Sequence, residues 1–136
     1  MRPTNALVVL AVFVTCLPAY AQCRFVYVKS LAPPNYPPIA KLAKLQGTVK
    51  VKLKLAANGK IMSASASGAD QILNGASKEN AIQWVFSSDA AKPQGCDLTI
   101  TYVYKLEGEP SYNPRERLIL ELPTRVELIA QPVIPL

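Results

Sequence analysis

The chain has 136 residues, half of them hydrophobic and 18% charged, a composition of folded rather than disordered proteins with room for one compact domain and its extensions. It carries a net charge of +6 and no histidine, so it lacks the side chain best suited to proton transfer near neutral pH, which is also the commonest metal ligand.

Arg2 gives the chain a positive start. Residues 6–17 are apolar apart from Thr15, Pro18 ends the run, and Ala19-Tyr20-Ala21 supplies a small-x-small site. This pattern predicts a secretory signal over residues 1–21, cleaved between Ala21 and Gln22. The run is shorter than the ~20 residues that span a bilayer. No stable membrane span is therefore expected after cleavage, and the destination is the periplasm or the exterior. Cleavage removes Cys16 and leaves Cys23 and Cys96. An even count in an oxidising compartment predicts a disulfide between them, ahead of two buried free thiols.

Residues 22–33 read as a lead-in, with a β-prone stretch at 24–28 that ends at Pro33 and Pro34. Residues 34–108 hold the strongest local order and form the expected domain, and residues 109–136 form a C-terminal extension. Pro37 and Pro38 suit a first helical turn, and Ile39, Leu42 and Ala43 follow at helical spacing, which predicts a helix over 37–46 that Gly47 ends in the left-handed conformation. Val49, Val51, Leu53 and Leu55 alternate with Lys50, Lys52 and Lys54, the pattern of a strand with one apolar and one lysine face. Asn58-Gly59 then predicts a two-residue hairpin turn, with the returning strand over 60–67. Leu73, Ala76, Ser77, Ala81 and Trp84 mark one side of a second helix, with Asp70 placed to cap it. Leu98, Ile100, Tyr102, Tyr104 and Leu106 alternate along a third strand. Two short alternations follow in the tail, separated by Pro123, and read as edge strands or extended segments.

These pieces, in this order, resemble the C-terminal domain of the TonB energy-transducer family. Asn35-Tyr36-Pro37-Pro38-Ile39-Ala40 is similar to the family's opening Tyr-Pro-x-x-Ala. Gln46-Gly47-Thr48-Val49-Lys50-Val51 is similar to its Gly-x-Val-x-Val strand, and Asn58-Gly59-Lys60-Ile61 to its hairpin. Leu73, Ala76, Ser77, Trp84 and Phe86 match the spacing of its Leu-x-x-Ala-Ala helix and Trp-x-Phe ending. The chain departs from the family at Ser77 and Asn80, where alanine is usual, and at Ser87-Ser88, where a proline usually follows. The patterns and the resemblance together predict an α+β fold, with two helices on one face of a small antiparallel sheet of three to four strands and a strand-forming tail.

The resemblance implies a protein- or peptide-binding module of the cell envelope, its partner an extended segment such as that of an outer-membrane receptor. In the family such a segment adds as a strand beside the last core strand. Here that edge would be Leu98, Thr99, Ile100, Thr101, Tyr102, Val103 and Tyr104. Two alternatives stand at this point. The edge is open to a partner, or residues 117–130 supply the pairing strand from the same chain and leave a structural envelope protein with no transport role. A strand-exchanged homodimer is a further arrangement open to a small sheet with an exposed edge. Lys50, Lys52 and Lys54 form a basic face that could meet an acidic partner or simply be the solvated side of the sheet. Nucleic acid is disfavoured as a partner, because export removes it and the basic residues follow no known binding motif. No catalytic residue, metal ligand set or cofactor site emerges, since the serines have no histidine and no Ser-x-x-Lys motif beside them.

Overall fold

In the computed structural model, which describes residue 11 and residues 21–88 and 94–135, the expected signal segment lies outside the described residues except for Ala11 and Ala21. In chain order the elements are strand β1 (Val28–Ser30), helix α1 (Pro38–Leu42), strands β2 (Gly47–Leu55) and β3 (Ile61–Ser67), helix α2 (Gln71–Ala81), and strands β4 (Val85–Phe86), β5 (Cys96–Leu106), β6 (Glu116–Glu121) and β7 (Arg125–Ala130). Among the described residues no helix is long and apolar enough to cross a membrane.

The alternation in β2 does what its period requires. Val49, Val51, Leu53 and Leu55 are buried, and Lys50, Lys52 and Lys54 are exposed on the other face. Antiparallel pairing sets Val49, Val51 and Leu53 beside Tyr102, Ile100 and Leu98 of β5, so the apolar rows line up across the two strands. α2 lies over this face, contacting β2, β3 and β5. Its Leu73, Ser77 and Ala81 are buried, and the Asp70 side chain accepts a hydrogen bond from the backbone N–H of Ile72 (2.8 Å), the cap its position predicts. Tyr36, Ala40 of α1, Trp84 and Phe86 complete the core. Fully burying a side chain the size of Val, Leu, Ile or Phe stabilises the fold by roughly 1.5–3 kcal/mol.

Two local expectations need correction. α1 stops at Leu42, and the left-handed position after it is Lys44 (φ 55), whereas Gly47 opens β2. The β2–β3 connection is a three-residue loop rather than a two-residue turn. Ala56 N–H bonds the Lys60 carbonyl and Gly59 N–H bonds the Ala56 carbonyl, both at 2.8 Å. Positive φ is needed only at Gly59 (φ 86), where a Cβ would sit 2.5 Å from the Phe86 carbonyl oxygen. The Asn58 side chain instead accepts from Lys60 N–H (2.9 Å). Longer hairpin loops put a type I turn before a left-handed glycine, and the sequence Asn-Gly serves that geometry as well as a tight one.

The fold is α+β, but the sheet is larger than expected and mixed. Five strands run in the order β3-β2-β5-β7-β6, and a separate two-stranded sheet joins β1 and β4. β7 is parallel to β5, with Tyr102 beside Val126 and Tyr104 beside Leu128. β6 is antiparallel to β7 on its far side. The chain leaves β5, forms the outer strand first and returns as β7 into the gap, because parallel neighbours cannot be joined by a tight turn. β7 is thus an internal strand, with Val126, Leu128, Ile129 and Ala130 buried, and the prolines around it fall outside the strand.

Candidate functional site

β5 carries the residues at which a partner strand is expected, and its backbone is occupied on both sides. β2 pairs with it from Cys96 to Tyr104. On the other side, Asp97 N–H bonds the Ala21 carbonyl (3.0 Å) and Cys23 N–H bonds the Asp97 carbonyl (2.9 Å). Thr101 N–H then bonds the Thr124 carbonyl (2.8 Å), and β7 continues the ladder through Leu106. Thr101, Tyr102, Val103 and Tyr104 therefore pair with the chain's own tail, and Leu98, Thr99 and Ile100 lie between that tail and residues 21–23. Of the two alternatives for this edge, pairing with the chain's own tail is seen from Thr101 to Tyr104, because the apolar face of β5 runs on beyond β2 and the tail supplies the Val126 and Leu128 that cover it.

The residues around the expected cleavage point hold β5 as well. Ala21 and Gln22 lie against Asp97, and Cys23 is disulfide-bonded to Cys96. One carboxylate oxygen of Asp97 is buried and accepts no hydrogen bond. Lys50, Lys52 and Lys54 stand together on the exposed sheet face, flanked in register by Ser67 and Thr101, Ser65 and Thr99, and Ser63 and Asp97. On the same face Glu127 pairs with Lys105 at 2.8 Å, which holds its carboxyl below the usual range.

Beneath α2 the tyrosines of β5 end in a polar network, buried at Ser77 and partly buried at Asn80. Asn80 Oδ1 accepts from Trp84 Nε1 (2.9 Å) and from the Tyr102 hydroxyl (2.8 Å), while Asn80 Nδ2 donates to the Ala32 carbonyl (2.9 Å). Ser77 Oγ shares a hydrogen bond with the Tyr104 hydroxyl (2.7 Å) and donates to the Leu73 carbonyl. Ser87 pairs with Tyr27: its N–H donates to the Tyr27 carbonyl, and its Oγ accepts from Tyr27 N–H. A proline at 87 would have no N–H to give. Ser77, Asn80 and Ser87, three of the positions that depart from the family pattern, are thus where the tyrosines and the lead-in are fastened.

Tyr36 meets Tyr104 edge-on with ring centres 5.2 Å apart, and its hydroxyl donates to the Leu45 carbonyl. Burial first, then the neighbouring Tyr104, pushes the Tyr36 hydroxyl up from 10.0 to about 12. The same causes raise Tyr102, and burial raises Tyr104 against the opposing Ser77 hydrogen bond. An unfolded tyrosine ionises at about 10, so above that pH the unfolded state releases protons that the folded state keeps. This contribution to stability is whole below about pH 10 and is lost as pH rises through the folded values. A base titration should show a late rise in tyrosinate absorbance that coincides with loss of far-ultraviolet circular dichroism. Because Tyr27 and Tyr112 are exposed, the test is the late phase, and its absence would show that the buried rings are not held as described.

The open edges of the five-stranded sheet are β3 and β6. Thr124 and Ala130 direct their carbonyls to β5, and Gln131 N–H bonds the Arg115 carbonyl across the hairpin (3.1 Å). By alternation Arg117, Ile119 and Glu121 face β7, while Glu116, Leu118 and Leu120 turn their N–H and C=O groups outward. Leu118, Ile119 and Leu120 are each 37–40% exposed. β3 is built of small residues from Ser63 to Ser67. Among the described residues no group of three or more His, Cys, Asp or Glu side chains is placed to hold a metal.

A family model described as Gram-negative bacterial TonB protein C-terminal matches residues 32–106, more than half of the chain. Comparisons with curated proteins and with solved structures give no match.

Proposed function

Because the chain belongs to the Gram-negative bacterial TonB protein C-terminal family, we propose that it is a periplasmic or secreted binding module that takes an extended segment of an envelope protein as an added strand, in support of transport across the outer membrane. The family is an envelope-associated, non-enzymatic protein-interaction family whose members contact outer-membrane receptors. The observation that carries the reading is the position of the free edge. Strand addition needs a row of unpaired N–H and C=O groups. At β5 the tail already uses that row from Thr101 onward, and the next one outward is Glu116, Leu118 and Leu120 of β6. The receiving strand is therefore β6, one hairpin beyond the family's own site.

The closure of β5 by β7 supports a second reading, a structural envelope protein whose sheet is self-capped. Site-specific photocrosslinking in cells separates the two. With a photoreactive residue at Leu118, the adduct should map to an extended segment of an outer-membrane receptor, and the same probe at Met62 of β3 should give far less of it. Absence of a receptor adduct from both positions would favour the structural reading.

A further inference from the structure

β6 has the sequence Glu116-Arg117-Leu118-Ile119-Leu120-Glu121, and its outward backbone groups belong to Glu116, Leu118 and Leu120. We propose that this edge is complementary to itself, and that a second copy of the chain adds its own β6 antiparallel, about a two-fold axis through Ile119. The proposal rests on the reading of β6 as the receiving edge and names one occupant for it.

Such an axis sets Leu118 opposite the second copy's Leu120. Both residues turn their hydrogen-bonding groups outward, so the ladder can form. Ile119 meets its own equivalent in the closer, non-hydrogen-bonded position, and Arg117 stands opposite the second copy's Glu121 on the same face. Both charged pairs are of opposite sign and Leu118, Ile119 and Leu120 each face an apolar residue, with Glu116 opposite Leu122 beyond the end of the strand.

Other registers lack this match. A parallel arrangement in register puts Arg117 on Arg117 and Glu121 on Glu121. An axis through Leu118 puts Arg117 against Ile119 and Glu116 against Leu120. An axis between two residues brings outward-facing groups against inward-facing ones. Charges near the ends of an edge strand ordinarily deter pairing, but here they do so only for the wrong registers.

The apolar rows give the second copy something to cover. Leu118 continues the row of Tyr104 and Leu128, and Leu120 continues that of Tyr102 and Val126. These rows are buried up to β7 and then emerge at β6, where Leu118 is 40% and Leu120 is 37% exposed. Joining two copies carries the core across the axis and leaves β3 as the outer strand of each. The same contact hides the edge from any other partner, so an extended segment binds only at the expense of the dimer.

Sedimentation velocity of the disulfide-bonded protein over a concentration series tests the proposal. A reversible dimer is expected. Arg117→Glu should weaken it ~tenfold, since each of the two cross-strand charge pairs turns from attraction to repulsion. Arg117→Glu with Glu121→Arg should bring the affinity back, because the reversed charges match again. Leu120→Pro removes an outward N–H without touching the β7 ladder and should abolish the dimer. It also keeps the proposal testable if the charge variants fold poorly. A wild-type protein that stays monomeric, a double reversal that restores nothing, or a dimer indifferent to Leu120→Pro would each overturn it. If the protein is monomeric yet the Leu118 probe still captures a receptor segment, only the self-pairing falls. If the dimer forms but no receptor segment is captured even in the monomeric charge variant, only the partner reading falls.

Discussion

Asn80→Ala is expected to lower the unfolding free energy by about 3 kcal/mol. One amide serves three partners. Its oxygen accepts from Trp84 Nε1 and the Tyr102 hydroxyl, and its nitrogen donates to the Ala32 carbonyl. Trp84 is 3% exposed and Tyr102 not at all, so both donors lose their acceptor at the edge of the core when the amide is gone. A buried donor left unpaired costs roughly 1–3 kcal/mol, whereas removing it together with its acceptor costs far less. The denaturant midpoint of a double variant reads this asymmetry. Tyr102→Phe should cost about 1 kcal/mol alone and nothing, or less than nothing, in the Asn80→Ala background. Strictly additive losses would mean that the amide and the hydroxyl do not depend on each other.

Loss of the Cys23–Cys96 disulfide should cost about 4 kcal/mol in the chain-entropy account, since it closes a loop with a sequence separation of 73. The bond also keeps Gln22 and Cys23 against β5, where the Cys23 N–H donates to the Asp97 carbonyl. Urea unfolding with and without reductant, repeated on a double serine variant, measures the effect. Hydrogen exchange at the Cys23 amide should speed up in parallel, because it leaves its Asp97 carbonyl acceptor once the segment is freed. Equal urea midpoints for oxidised and reduced protein would show that the crosslink is dispensable.

The sequence carried the period of each element better than the neighbours it would choose. Alternating lysines define β2 down to the face of each residue, and Asp70 starts α2 where capping predicts. The family resemblance is borne out over residues 32–106. The order of the tail strands was not legible. Leu118-Ile119-Leu120 and Leu128-Ile129-Ala130 are equally apolar runs, yet the first is exposed at the rim and the second is buried inside the sheet. Composition cannot rank them, because what separates them is pairing with β5, a contact set by the whole apolar face. The signal that could have helped was local. Ser77 and Asn80 break the family's small-residue pattern on a helix face that also carries Leu73 and Ala81, and polar groups at such positions need buried partners. The tyrosines of β5 are those partners.

The arrangement around β5 has a mechanical side. Residues 21–23 and β7 lie on the same flank of that strand and run in its direction, the first meeting it at Asp97 and the second leaving it at Leu106. Tension applied between residue 22 and residue 130 therefore acts along the strand axis, while the backbone hydrogen bonds lie largely across it. The bonds share such a load and must shear together instead of unzipping in turn, and a covalent sulfur bridge anchors one end. A domain strung this way resists being drawn out by its extremities.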